Sequence, residues 1–130
     1  MRRDANGFTL VETLMALLLI SIGVLAAAPM FMYAMQGNAS GADFGAAGAM
    51  AVERMELLRS ANYAALPSGG SVDANVNGYF DDADPGYTVR WRIVTNAAPV
   101  GTKTITVRTI ATRQVVGLQK SVTLTTMRGR

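Results

Sequence analysis

The sequence contains neither cysteine nor histidine in 130 residues. The first absence excludes disulfides, lipid attachment through a thiol and thiolate chemistry. The two together exclude most zinc sites and the commonest general base. The remaining serines, threonines and acids show no triad-like grouping, so no enzymatic activity is expected. Charge is scarce too, at 16% of residues against 50% hydrophobic. It is missing altogether from Thr13 to Ala42, a longer run than the roughly 20 residues that a membrane-spanning helix needs. Between Leu14 and Ile20 no polar residue supplies the wet face of a soluble helix. One membrane-crossing helix is expected. Arg2 and Arg3 precede it and Asp43 is the first charge beyond it. The preference of basic residues for the cytoplasm then places the N-terminus inside and the rest outside.

Against this background one residue is out of place. NGFTLVETLMALLLISIGVLAAAP, residues 6–29, is almost wholly apolar, yet Glu12 lies near its start. A cleavable secretory signal would have the same basic start, apolar middle and small residues Ala26, Ala27 and Ala28. Glu12 inside the apolar region and Pro29 after the supposed cut both count against that reading. The run Gly7, Phe8, Thr9, Leu10, Val11, Glu12 instead resembles the G|FTLxE signature of prepilins, the precursors of type IV pilins and type II secretion pseudopilins. The resemblance is strong over residues 1 to about 35 and looser beyond. It implies that a bacterial prepilin peptidase/methyltransferase cuts between Gly7 and Phe8 and N-methylates Phe8. It also implies assembly roles for Glu12 and Thr9. A carboxylate in a helix within hydrocarbon costs about 2.5–3.5 kcal/mol, and the new ammonium at Phe8 of a neighbouring subunit is its expected partner. Solvation of Glu12 at the membrane interface is the alternative.

The implied fold is α+β and pilin-like, a long N-terminal helix packed on a small antiparallel sheet of three or four strands. The expected divisions are a leader over residues 1–7, a membrane half of the helix over 8–35, an amphipathic half over 36–66, a polar loop over 67–86 and the sheet over 87–130. Pro29 is expected to kink or locally melt the helix, because it removes a backbone donor. Gly37, Gly41 and Gly45 share one helix face, where small residues let another helix approach closely; a loose, partly frayed segment is the alternative, since each glycine costs a helix up to about 1 kcal/mol. Further on, Met50, Met55, Leu57 and Leu58 are expected to face the sheet, and Glu53, Arg54, Glu56 and Arg59 to face water. Pro67 is the expected helix stop.

In the loop, Asp73, Asn75, Asn77, Gly78 and Asp84 follow the calcium-loop spacing D-x-[DN]-x-[DN]-G-x5-E, with aspartate in the last place. With the Tyr79 carbonyl and Asp81, these oxygens form a candidate calcium site. A solvated loop of Asx-turns is the alternative. No cofactor is required by any other feature.

YTVRWRIV sets Tyr87, Val89, Trp91 and Ile93 on one strand face and Thr88, Arg90 and Arg92 on the other. KTITVRTIATR and LQKSVTLTTMR continue a meander through NAAPVG and a turn near Gly117. From Tyr87 onward eight residues are basic (Arg90, Arg92, Lys103, Arg108, Arg113, Lys120, Arg128 and Arg130) and none is acidic. Phosphate binding is one use of such a surface, and a solvated face or one meeting acidic loops such as Asp81–Asp84 of a neighbour is the preferred one. Nucleic acid is therefore not an expected partner. The helix FTLVETLMALLLISIGVLA, the YTVRW segment and VTLTTMR are most similar to PilV-like minor pilins. This implies insertion in the bacterial inner membrane, then incorporation with other pilin subunits by the inner-membrane assembly platform. Alternatives are a secretion pseudopilin, a DNA-uptake pilin and an anchored binding domain that never polymerises.

Overall fold

The computed structural model describes residues 8–112 and 119–130. The leader with Gly7, and the turn near Gly117, lie outside the described residues. The chain divides into two compact units, Met1–Asn38 and Ala39–Arg130, and each is taken by itself.

Leu, Ala, Met and Ile dominate from Leu10 onward, all residues that keep rotamer freedom in a helix or pack well along one. They form α1, Leu10–Ser60. In the first unit its apolar side chains stand bare, with Leu18 55%, Leu19 66% and Met30 74% exposed. No core exists here to cover them, and a continuous apolar surface of this kind implies a non-aqueous surrounding. By length and composition α1 is able to cross a membrane. Pro29 lies inside the helix, and helical geometry continues through it. Local melting at this position is therefore not a feature of the isolated chain. The proline deprives the Leu25 carbonyl of its usual donor, a single loss that the flanking turns tolerate.

The second unit is built on β-branched strands whose alternation is legible. β1 is Gly69–Gly70, β2 Phe80–Asp81, β3 Tyr87–Thr95, β4 Thr102–Ala111 and β5 Ser121–Gly129. The three long strands form an antiparallel meander in the order β3-β4-β5, with Trp91 opposite Val107 and Val107 opposite Leu124. β1 and β2 both pair with the free side of β3, one after the other, so together they make a broken fourth strand. The segment 67–86 is thus not wholly loop. Gly70 is what permits β1, since its φ is +83° and a Cβ there would collide with the Trp91 carbonyl oxygen.

The core lies between one face of this sheet and the second half of α1. Val89, Trp91, Ile93, Ile105 and Val107 meet Ala51, Met55 and Leu66, with Met50 and Leu58 packed at the margin. The buried helix positions are Ala47, Ala51 and Met55, four residues apart. This rotates the expected face: Leu57 is 54% exposed, while Arg54 turns inward over the Trp91 ring, 4.5 Å from its centroid. Alanines on the buried stripe let the helix close on a sheet that carries the large side chains.

The helix also ends before Pro67. It stops at Ser60, and Asn62 adopts an extended conformation that caps a 3-10 turn over Tyr63–Ala65. The last carbonyls are satisfied from the sheet. Arg128 Nη1 donates to the Leu58 and Ala61 oxygens at 3.2 and 2.6 Å, and Lys103 Nζ donates to those of Tyr63 and Leu66 at 3.0 and 2.6 Å. Cations at a helix C-terminus complement its dipole as well as its free acceptors.

Thr109 is fully buried, and among the described residues its hydroxyl has no partner. A stranded hydroxyl costs about 1–3 kcal/mol. Thr109→Val is expected to stabilise the protein by about 1 kcal/mol, raising the unfolding midpoint of the full chain in detergent by about 4 °C. A lower midpoint would mean that the hydroxyl has a partner after all.

Candidate functional site

The first candidate site is the start of α1. Phe8 and Thr9 precede the helix, and Phe8 is 84% exposed. The Thr9 Oγ1 accepts a bond from the Glu12 N–H at 3.2 Å, and the Thr9 carbonyl accepts from the Thr13 N–H at 3.1 Å. Thr9 is therefore the N-cap, and Thr-x-x-Glu is half of a capping box. This local role of Thr9 was readable in the sequence from that spacing.

Glu12 falls in the first turn, where the helix dipole favours an anion by about 0.3–1 kcal/mol. That offsets only part of the roughly 2.5–3.5 kcal/mol that a buried carboxylate costs on insertion. Among the described residues no side chain bonds to the Glu12 carboxylate, and the residue is exposed. The remainder must come from water at an interface or from a cation outside the described chain. Gly7, the other half of the expected cut, lies outside the described residues.

Gly37 lies in the first unit and Gly41 and Gly45 in the second. At all three, nothing stands within 4 Å of where a Cβ would be.

The second candidate site is the Asp/Asn loop. Asp73 Oδ1 accepts from Arg108 Nη1 at 2.6 Å, and the Asp73 carbonyl accepts from Arg90 Nη1 at 3.2 Å. Asn75 Oδ1 accepts from Arg90 Nε at 2.7 Å. The Tyr79 carbonyl accepts from the Trp91 N–H at 3.0 Å as part of the sheet edge. Asp81 lies in β2 and pairs with Arg54. The Asp84 carbonyl accepts from the Tyr87 N–H at 3.2 Å, and among the described residues no side chain bonds to Asn77. The six expected ligands thus do not turn to one centre. Among the described residues no three acidic side chains are grouped to hold a metal ion.

What the loop meets instead follows from register. Arg90 and Arg108 are directly opposite on the outer face of the sheet, a destabilising like-charge pair. Asp73 and Asn75 lie over both guanidinium groups and supply the missing acceptors. Arg92 is on the same outer face and exposed. The spacing of the loop gives no sign of these partners, which are 15 to 35 residues away.

Comparison with known proteins bears on the first site alone. Residues 2–28 match the family described as the prokaryotic N-terminal methylation motif. No curated protein and no solved structure matches the chain. Together with the apolar helix and the antiparallel sheet, this match supports a type IV pilin-like protein processed by prepilin peptidase.

The arginine pairing has a measurable consequence. Calorimetric titration of the full chain in detergent with millimolar calcium is expected to give no saturable heat. The double variant Arg90→Ala/Arg108→Ala, which frees Asp73 and Asn75, is where such heat should first appear. Saturable heat in the unaltered protein would mean that calcium displaces the arginines.

Proposed function

We propose that this chain is a structural subunit of a type IV pilus-like filament, a minor pilin that primes or modulates assembly. The supporting observation is the methylation motif over residues 2–28, a match that spans Phe8 to Glu12 at the start of a bare apolar helix. In this reading the peptidase cuts between Gly7 and Phe8 and methylates the new amine. The cut creates a cation four residues from a carboxylate that lacks a partner. Helices of neighbouring subunits then stagger so that the Phe8 ammonium of one meets Glu12 of the next. A slip in register leaves both charges unpaired in hydrocarbon, so the pair fixes axial spacing as well as offsetting insertion cost. The narrower PilV-like assignment rests on the likeness of FTLVETLMALLLISIGVLA and YTVRW to that group.

Two measurements test this. Mass spectrometry of the native protein should find a mature N-terminus at N-methylated Phe8; a first residue at Met1, or beyond Ala28, would end the reading. Glu12→Ala should be cut at the same bond and inserted. Its recovery in sheared filaments should fall by more than about tenfold, the factor that 1.4 kcal/mol represents. Normal incorporation of this variant would show that Glu12 has no assembly role.

A further inference from the structure

β5 uses only one of its two sides. Its residues pair with β4 from Ser121 opposite Ile110 to Gly129 opposite Thr102. Among the described residues no strand pairs with the other side. The far margin of the sheet differs, because β1 and β2 cover β3 there. Alternate residues of β5 therefore direct N–H and C=O groups to a side where no described strand pairs, the arrangement that accepts an added strand. Native edges are blunted by proline, a bulge or an inward charge in mid-strand. The pairing with β4 is unbroken and Ser121–Met127 reads SVTLTTM, which has none of these devices.

Side-chain cover is also incomplete here. Thr109, Val107 and Ile105 of β4 are fully buried, whereas their β5 partners Val122, Leu124 and Thr126 are only half-buried. α1 reaches both ends of β5, bonding Lys120 through Ser40 and Arg128 through the Leu58 carbonyl. Met50, Arg54 and Leu57 lie on its β3 side with Asp81, Tyr87 and Val89. By helical periodicity Gly41, Gly45 and Gly48 fall on the opposite flank, where nothing stands within 4 Å of a Cβ. Side chains of an added strand have room there.

Charge selects the occupant. Lys120, Arg128 and Arg130 stand at the two ends of β5, and no acid follows Asp84 in the chain. Lys120 bonds the Ser40 hydroxyl and Arg128 bonds backbone carbonyls. None of those partners is a carboxylate, and only the C-terminal end of α1, at Arg128, supplies an opposing partial charge. A second copy of β5 in antiparallel register would bring Lys120 of each copy beside Arg128 and Arg130 of the other, with repulsion at both ends. We propose that the free edge of β5 receives an extended segment of another protein, β-branched in the middle and acidic at both ends. The inference is independent of the filament role.

The test uses the full chain in detergent and two nine-residue probes. Both peptides alternate threonine and valine; one ends in glutamate at each terminus, the other in lysine. Hydrogen exchange read residue by residue should slow at β5 amides when the glutamate-ended peptide is added. That peptide should bind about tenfold more tightly than the lysine-ended one. Lys120→Glu/Arg130→Glu, which leaves the core and β5 itself unaltered, should reverse the order. Absence of slowing at β5 with either peptide would overturn the proposal, as would equal affinities in both proteins. Protection of β5 that grows with protein concentration alone would assign the edge to a second copy. Protection centred on Arg90, Arg92 and Arg108 would place the acidic peptide on the outer face instead. Either result would also overturn it.

Discussion

A carboxylate in the first turn of a helix with no wet face is the constraint on which the first unit depends. The sequence sets Glu12 among leucine, valine and methionine, and among the described residues the fold supplies it with no cation. Thr9 caps the turn and the dipole favours an anion there. Both effects are local and about 1 kcal/mol each, smaller than the cost of carrying the charge into lipid. An alanine would be cheaper for simple anchoring. Retaining the acid makes sense where the missing charge arrives from outside, which links a single residue to cleavage at the preceding bonds.

In the second unit excess positive charge is distributed by a different logic. The three long strands carry no acids, so their cations find acceptors elsewhere in the unit. Lys103 and Arg128 take the carbonyls that α1 and the following turn leave free. Arg90 and Arg108, forced opposite each other by the β3–β4 register, take the Asp73–Asn75 loop. Arg54 covers Trp91 and reaches Asp81. Isolated surface pairs of this kind add at most about 1 kcal/mol. Their importance is positional, since they fix where the helix ends and where the polar loop rests.

The same logic explains what was legible beforehand. Tyr87, Val89, Trp91 and Ile93 announce an inward strand face because a period of two is written locally. The apolar run of α1 is as plain. The helix end was not readable, because Ser60 is followed by alanine, asparagine and tyrosine rather than a breaker. The cations that satisfy that end come from β4 and β5, 37 to 70 residues further along. β1 was hidden for a related reason: two glycines have little strand propensity and are ordered by their ladder to Arg92 and Ile93. Asp73, Asn75 and Asn77 have calcium spacing, but spacing says nothing of an arginine that reaches the first ligand from a distant strand.

Among the described residues Glu12 and the β5 edge both lack partners, and their needs differ in kind. Glu12 lacks a charge, a need that one ammonium at one position can meet. The β5 edge lacks a ladder of backbone partners, a need that any extended chain can meet. Selectivity at such an edge therefore has to come from its margins, where Lys120, Arg128 and Arg130 repel a copy of the same strand. Basic ends on an otherwise unguarded edge protect against self-pairing as a mid-strand charge would, yet leave the central ladder intact. An edge guarded only at its ends is closed to its own kind and open to an acid-ended partner.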